Sequence, residues 1–225
     1  MDNLTTKYNF KVLFHQFGFA NDENYYDTSE DVCLKLFEET CLGLKKRLQN
    51  KYTMVELGSN QAYYSMLFKA IIDGPGANNL CQNVLVEPKK QHIKRGMINF
   101  IYNDFTGNFI NKCIGNKRFD GNTGQWVQDE NSISFTELLL SNNLTNLDIL
   151  YSDIDGAEKM LLEENADIFK SKIIKFIFMS THRINNCGTD THNFCKEKLF
   201  EYGYKMVLEC ADQINGSDSL LVFRV

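Results

Sequence analysis

Near the start of the chain, Cys33, Leu34, Phe37, Cys41 and Leu44 recur at helical spacing, and Ser29 stands where an N-cap belongs, with acids in the first turn. The stretch before it, residues 14–27, is aromatic and acidic without a clear period. From Tyr52 onward the pattern changes to short apolar runs alternating with helical segments. Residues 52–57 read as a strand stopped by Gly58, and 61–72 as a helix ended by Asp73-Gly-Pro-Gly. A second strand, 83–87, is stopped by Pro88, and 91–102 form the next helix. The run 109–114 is a third strand before a Gly/Asn-rich loop, 115–124, and 135–140 a short helix. Residues 147–152 and 173–179 are further strands, separated by a helix over 157–164. Helix 191–202 then leads to a closing strand pair, 205–208 with 220–225.

Strands that alternate with helices belong in a parallel sheet covered on both faces, where they read as near-continuous apolar runs. The last two strands have no helix between them and predict an antiparallel edge. The expected architecture is α/β, a doubly wound, mostly parallel sheet over 51–225 with an antiparallel edge pair, preceded by an N-terminal helical cap over 1–50. Two prolines, Pro75 and Pro88, and no Ser/Gly-rich linker leave no other boundary.

Composition narrows the function. With 24 basic against 29 acidic side chains in 225 residues, the net charge of −5 lacks the surplus that phosphate neutralisation requires, so nucleic acid is not an expected partner. No apolar run approaches the ~18 residues of a membrane span, and Met1-Asp-Asn-Leu-Thr begins no secretory signal. Seven cysteines without a C-x-x-C read as reduced thiols of a cytoplasmic protein.

In an open α/β sheet, ligands bind beyond the C-terminal ends of the strands. The first strand ends Val55-Glu56-Leu57-Gly58-Ser59-Asn60, a sharp turn that lacks the glycine pattern of a dinucleotide site. An acid there disfavours a pyrophosphate and tolerates a phosphate-free donor with an ammonium group, such as S-adenosylmethionine (SAM). Glu87 at the next strand end can accept both hydroxyls of a ribose. The fourth strand runs into Asp153-Ile154-Asp155-Gly156-Ala157-Glu158, three acids close enough that pairing, protonation or a cation is required. Asp155 and Glu158 also have the spacing of a capping box. His182, after the fifth strand, can move a proton or bind a metal. The series His182, Cys187, His192, Cys195 matches no standard zinc spacing, and Trp126 with loop 115–124 stands as a further candidate for acceptor contact.

Taken together, Val55-Glu-Leu-Gly-Ser-Asn-Gln-Ala-Tyr-Tyr-Ser, Leu85-Val-Glu-Pro, Leu147-Asp-Ile-Leu-Tyr-Ser-Asp-Ile-Asp-Gly-Ala-Glu and Thr181-His resemble the FkbM-type SAM-dependent methyltransferases over about residues 52–185. The resemblance implies a class I, Rossmann-like fold, SAM as methyl donor and O-methylation of a hydroxyl on a sugar, glycan or related small molecule. It places Glu56, Gly58, Ser59 and Asn60 along the methionine half of SAM and Glu87 with Pro88 at the ribose. It places Ile114 at the adenine, and Asp153 with Asp155 where the methyl meets the acceptor. The chain departs from the family at Tyr151-Ser152, where a lysine is common, and at Ser180, where a glutamate is common. Methyl transfer needs an oxygen held in line with the donor and a route for its proton, for which Asp153 or His182 is the expected base. A divalent cation such as Mg2+, held by Asp153, Asp155 and His182, offers another way to acidify the hydroxyl. Two rival readings are a metal-dependent glycosyltransferase with Asp153-Ile154-Asp155 as its D-x-D, and a non-catalytic binding protein on the same fold.

Overall fold

The computed structural model describes residues 7–13, 28–74, 79–115, 117–120, 125–128, 130–184, 189–210 and 218–225; segment 14–27 and Cys187 lie outside these, as does much of loop 115–124. The chain forms two compact units, Met1–Ile110 and Asn111–Val225.

In the first unit, helix α1 (Thr28–Lys45) precedes strand β1 (Tyr52–Leu57), helix α2 (Tyr63–Ile72), β2 (Cys81–Val86), α3 (Lys90–Tyr102) and β3 (Asn108–Ile110). The three strands are parallel with β2 in the middle, in registers ending Leu57↔Val86 and Val86↔Ile110. Every residue of β1 is buried, which explains why its apolar run shows no alternation. All ten residues of α2 are buried as well, and its lone charge, Lys69, is neutralised by Asp73 at 3.1 Å. Cys33, Leu34, Phe37, Cys41 and Leu44 form the buried stripe of α1, as their spacing predicts. That stripe meets α2 through the edge-to-face pair Phe37–Tyr64, with ring centroids 5.1 Å apart. The helix already runs at Thr28, so Ser29 lies within it instead of capping it.

The second unit holds the short strands β4 (Cys113–Ile114), β5 (Lys117–Asp120), β6 (Gln125–Gln128) and β7 (Ser132–Ile133). They are followed by α4 (Phe135–Ser141), β8 (Leu147–Ser152), α5 (Glu158–Glu164), α6 (Ala166–Lys170) and β9 (Ile174–Ile184). The chain closes with β10 (Thr189–Asp190), α7 (Thr191–Glu201), β11 (Lys205–Cys210) and β12 (Asp218–Arg224). Parallel pairing of β8 and β9 runs from Leu147↔Ile174 to Ser152↔Met179. On the other side β9 pairs antiparallel with β12, and β12 with β11. The class is therefore the expected one: Rossmann-like α/β, a mostly parallel sheet with an antiparallel edge, flanked by helices.

Three details differ from expectation. The run 109–114 is not one strand, because the polar pair Asn111-Lys112 interrupts it: β3 joins β2, and Ile114 belongs to the separate pair β4–β7. The expected loop 115–124 contributes a strand to the antiparallel hairpin β5–β6. Strand β9 does not stop at Met179. It continues over residues 180–184, held by β12 in the registers Leu220↔Ser180, Ser219↔Thr181 and Asp218↔His182.

Candidate active site

In the first unit the turn after β1 is built by backbone geometry. Gly58 adopts φ 73°, where a side chain is strained, and the N–H groups of Gly58 and Ser59 both donate to Val86 O, at 2.9 and 3.0 Å. Asn60 (φ 43°) and Ala62 (φ 69°) are left-handed too, so α2 begins at Tyr63, two residues later than its periodicity predicts. A left-handed alanine costs about 1–2 kcal/mol, and Ala62 offers no side chain to cap the helix. Glu56 serves instead: from β1 its buried carboxylate accepts the N–H of Ser65, the third residue of α2, at 3.1 Å.

Glu87, just past β2, is 4% exposed and fixed by two backbone amides. Its Oε2 accepts the N–H of Asn60 at 2.9 Å, and its Oε1 that of Lys89 at 2.8 Å. His92 Nδ1 lies 3.8 Å from Oε1, a neighbour that sequence reasoning missed although it sits in the first turn of α3. Pro88 is exposed and ends β2. Around this turn Ser59 Oγ, Asn60 Oδ1 and Gln61 Oε1 are buried without a hydrogen-bond partner among the described residues. Buried polar atoms are normally satisfied, so three orphans in consecutive residues fit a polar ligand such as the amino-acid end and ribose of SAM.

The second unit gathers the other predicted residues. Because β9 outruns β8, residues 180–184 continue beyond the Ser152↔Met179 pair, where the chain after β8 turns through Asp153 and Asp155. His182 Nε2 lies 3.1 Å from Asp153 Oδ1 and 3.9 Å from Asp155 Oδ1. Its Nδ1 lies 2.8 Å from Oε1 of Glu158, which is completely buried. The capping box therefore does not form. Helix α5 starts at Glu158 with Ala157 as N-cap, while Asp155 turns left-handed (φ 50°) with its side chain 86% exposed. Glu158 reaches the 24-residue-distant histidine and also accepts the Gly156 N–H at 3.2 Å.

Burial works against charge on His182, yet hydrogen bonds to Asp153 and Glu158 and the attraction of both carboxylates outweigh it and push the imidazole up to about 11. At neutral pH it is a cation that donates from both nitrogens. In that state it orients Asp153 and leaves proton acceptance to the carboxylate.

On the opposite face of β9, Thr181 Oγ1 donates to Ser219 O at 3.0 Å and stands 2.9 Å from His192 Nδ1. His192 Nε2 lies 3.0 Å from Glu209 Oε1, and Lys196 bonds both oxygens of that carboxylate at 2.8 Å. The two histidines of the His182–Cys195 series thus serve separate clusters. Ile114 is buried at the end of β4.

No family model matches the chain, and no curated protein matches it. Its structural neighbours include WbdD, solved with the kinase inhibitor LY294002, at TM-score 0.55 and 12% identity over 99% of this chain and 47% of that one. A methyltransferase from Pyrococcus furiosus aligns at TM-score 0.48 and 13% identity, covering 99% and 92% of the two chains. Fibrillarin from Aeropyrum pernix, solved with natively bound SAM, aligns at TM-score 0.47 and 12% identity over 83% and 74%. At such identities a likeness speaks to the fold alone. No helix among the described residues is long and apolar enough to cross a membrane.

Proposed function

We propose that the chain is a SAM-dependent O-methyltransferase of FkbM type, acting on a hydroxyl of a sugar, glycan or related small molecule. The observation that carries this is the first-unit turn. A buried, amide-anchored Glu87 is joined there to a loop whose Ser59, Asn60 and Gln61 side chains hold unpartnered polar atoms. Glu87 would accept the ribose hydroxyls, as a buried carboxylate just past the end of β2 that two backbone amides hold in place. Glu56 supplies negative charge for the ammonium group, and Ser59 and Asn60 supply donors and acceptors for the amino-acid end. When bound, SAM supplies an already electrophilic methyl group.

What this chain's residues then add is positioning and a proton route. Asp153 takes the acceptor hydroxyl's proton, held in place by the N–H of His182, which Glu158 fixes from behind. The net charge of −5 disfavours a nucleic acid as the acceptor.

Calorimetric titration with SAM, S-adenosylhomocysteine and UDP-glucose, with and without Mn2+, tests the reading. Binding of both adenosyl compounds, lost in Glu87→Ala, is the expected result. Metal-dependent binding of UDP-glucose alone would overturn it in favour of sugar transfer through Asp153-Ile154-Asp155.

A further inference from the structure

Asp153, Asp155 and His182 each offer one ligand atom, and those atoms all lie within 4.8 Å of one another. A cation with bonds of about 2.0–2.4 Å has neighbouring ligands roughly 3 Å apart and opposite ones somewhat over 4 Å. The observed separations, 3.1 Å from His182 Nε2 to Asp153 and 3.9 Å to Asp155, fall in that span.

The surroundings point to a ligand as well. With Glu158 accepting from Nδ1, the Nε2 of His182 faces two carboxylates; in the metal-free chain a proton on Nε2 stands among them, and a cation that displaces that proton meets three ligand atoms. A proton on Nε2 serves Asp153 but leaves Asp155 Oδ1 at 3.9 Å, beyond hydrogen-bond range. Behind the imidazole, Glu158 is completely buried and its Oε2 has no hydrogen-bond partner among the described residues. Among the described residues, no lysine or arginine pairs with Asp153, Asp155 or Glu158. Three carboxylates therefore share one imidazole, an excess of negative charge that a divalent cation would balance. A buried carboxylate on the far nitrogen of a histidine is also how metal-binding imidazoles are oriented.

We infer that Asp153, Asp155 and His182 bind a divalent cation, with Glu158 as the positioning residue that turns Nε2 toward it. Two carboxylates and one imidazole suit Mn2+, which prefers oxygen ligands and as a first-row transition ion also takes an imidazole nitrogen. Three protein ligands leave open positions for water or for two neighbouring oxygens of an acceptor. That last role rests on the methyl-transfer reading; the cation site itself does not.

The test is titration of chelator-treated full chain with Mn2+, following the free-ion electron paramagnetic resonance signal. We expect one Mn2+ per chain, lost in Asp155→Asn, a change at an exposed side chain whose left-handed backbone asparagine tolerates. Glu158→Gln should weaken binding about 10–100-fold without removing a ligand. Absence of binding to the unaltered chain, or binding unchanged by Asp155→Asn, overturns the site. S-adenosylhomocysteine is titrated in parallel: its binding without Mn2+ binding overturns the cation alone, and the reverse overturns the methyl-donor reading alone.

Discussion

Glu56 in β1 accepts the backbone N–H of Ser65 at 3.1 Å, so a strand carboxylate caps a helix whose own N-cap, Ala62, has nothing to offer. The acid proposed to face the donor's ammonium is thus also part of the framework. Two substitutions separate the roles. Glu56→Gln keeps an oxygen for the Ser65 N–H and loses only the charge. It should unfold in urea within about 1 kcal/mol of the unaltered protein while its affinity for S-adenosylhomocysteine drops. Glu56→Ala loses both, and should cost a further 1–2 kcal/mol or so, the usual worth of a cap. Equal loss of ligand affinity and stability in Glu56→Gln would mean the carboxylate serves the fold alone.

Gly96 in α3 lies against the same loop. A Cβ there would stand 3.2 Å from the Ala62 Cβ, 3.3 Å from Phe109 Cε1 and 3.4 Å from the Gln61 backbone. Glycine to alanine inside a helix normally stabilises by about 1 kcal/mol. Overpacking against a loop already strained at Ala62 works the other way, by about 1–3 kcal/mol. Gly96→Ala should therefore lower the melting temperature and weaken S-adenosylhomocysteine binding together, measured by thermal unfolding and calorimetry on the same preparation. A gain in melting temperature would show that α3 can move away from the loop freely.

His182 sets a pH dependence. Its ordinary value is near 6.5 and the folded protein raises it to about 11 through Asp153 and Glu158. Below pH 6.5 the imidazole is charged folded or unfolded, and its pairing contributes fully to stability. Above that, the unfolded chain releases the proton while the folded one keeps it, so the contribution shrinks and is gone near pH 11. In chelator-treated protein, the stability difference between unaltered chain and His182→Asn should be largest at pH 6, of the order of 3–5 kcal/mol because the buried Glu158 loses the imidazolium beside it and keeps only the Gly156 N–H. It should narrow steadily toward pH 10. Urea midpoints at three pH values decide it; a difference that widens with pH would reverse the assigned charge state.

The sheet was legible because parallel strands buried on both faces leave unbroken apolar runs: Tyr52–Leu57 and Leu147–Ser152 match their expected bounds. Strand-end residues can be nominated from the same runs, and Asp153, Asp155 and His182 are among them. What escaped was set by partners distant in the chain. Ser180 to Ile184 looks like a polar loop, and is strand because β12 pairs with its first residues and β10 with its last. Glu158 has a local excuse in its capping-box spacing, and only the tertiary fold brings His182 to it. The left-handed turn at Ala62 carries no local sign, since alanine is among the best helix formers and would be expected to extend α2.

Alternation along β9 supplies the sharpest control for the cation. Thr181 and His182 are adjacent and so project from opposite faces of the strand. Thr181 joins Ser219 O and His192, and His192 joins Glu209, while His182 joins Asp153 and Glu158. Thr181→Val keeps the shape and removes the hydroxyl that joins Ser219 O to His192 Nδ1, at a cost of about 1–3 kcal/mol. Stability should fall by that amount and Mn2+ affinity should stay where it was. Asp155→Asn should do the opposite, because its side chain is solvent-exposed and contributes little to packing. If Thr181→Val instead released Mn2+ as readily as Asp155→Asn, the metal ligands would depend on the His192–Glu209 side of the strand, and the two clusters would have to be treated as a single network.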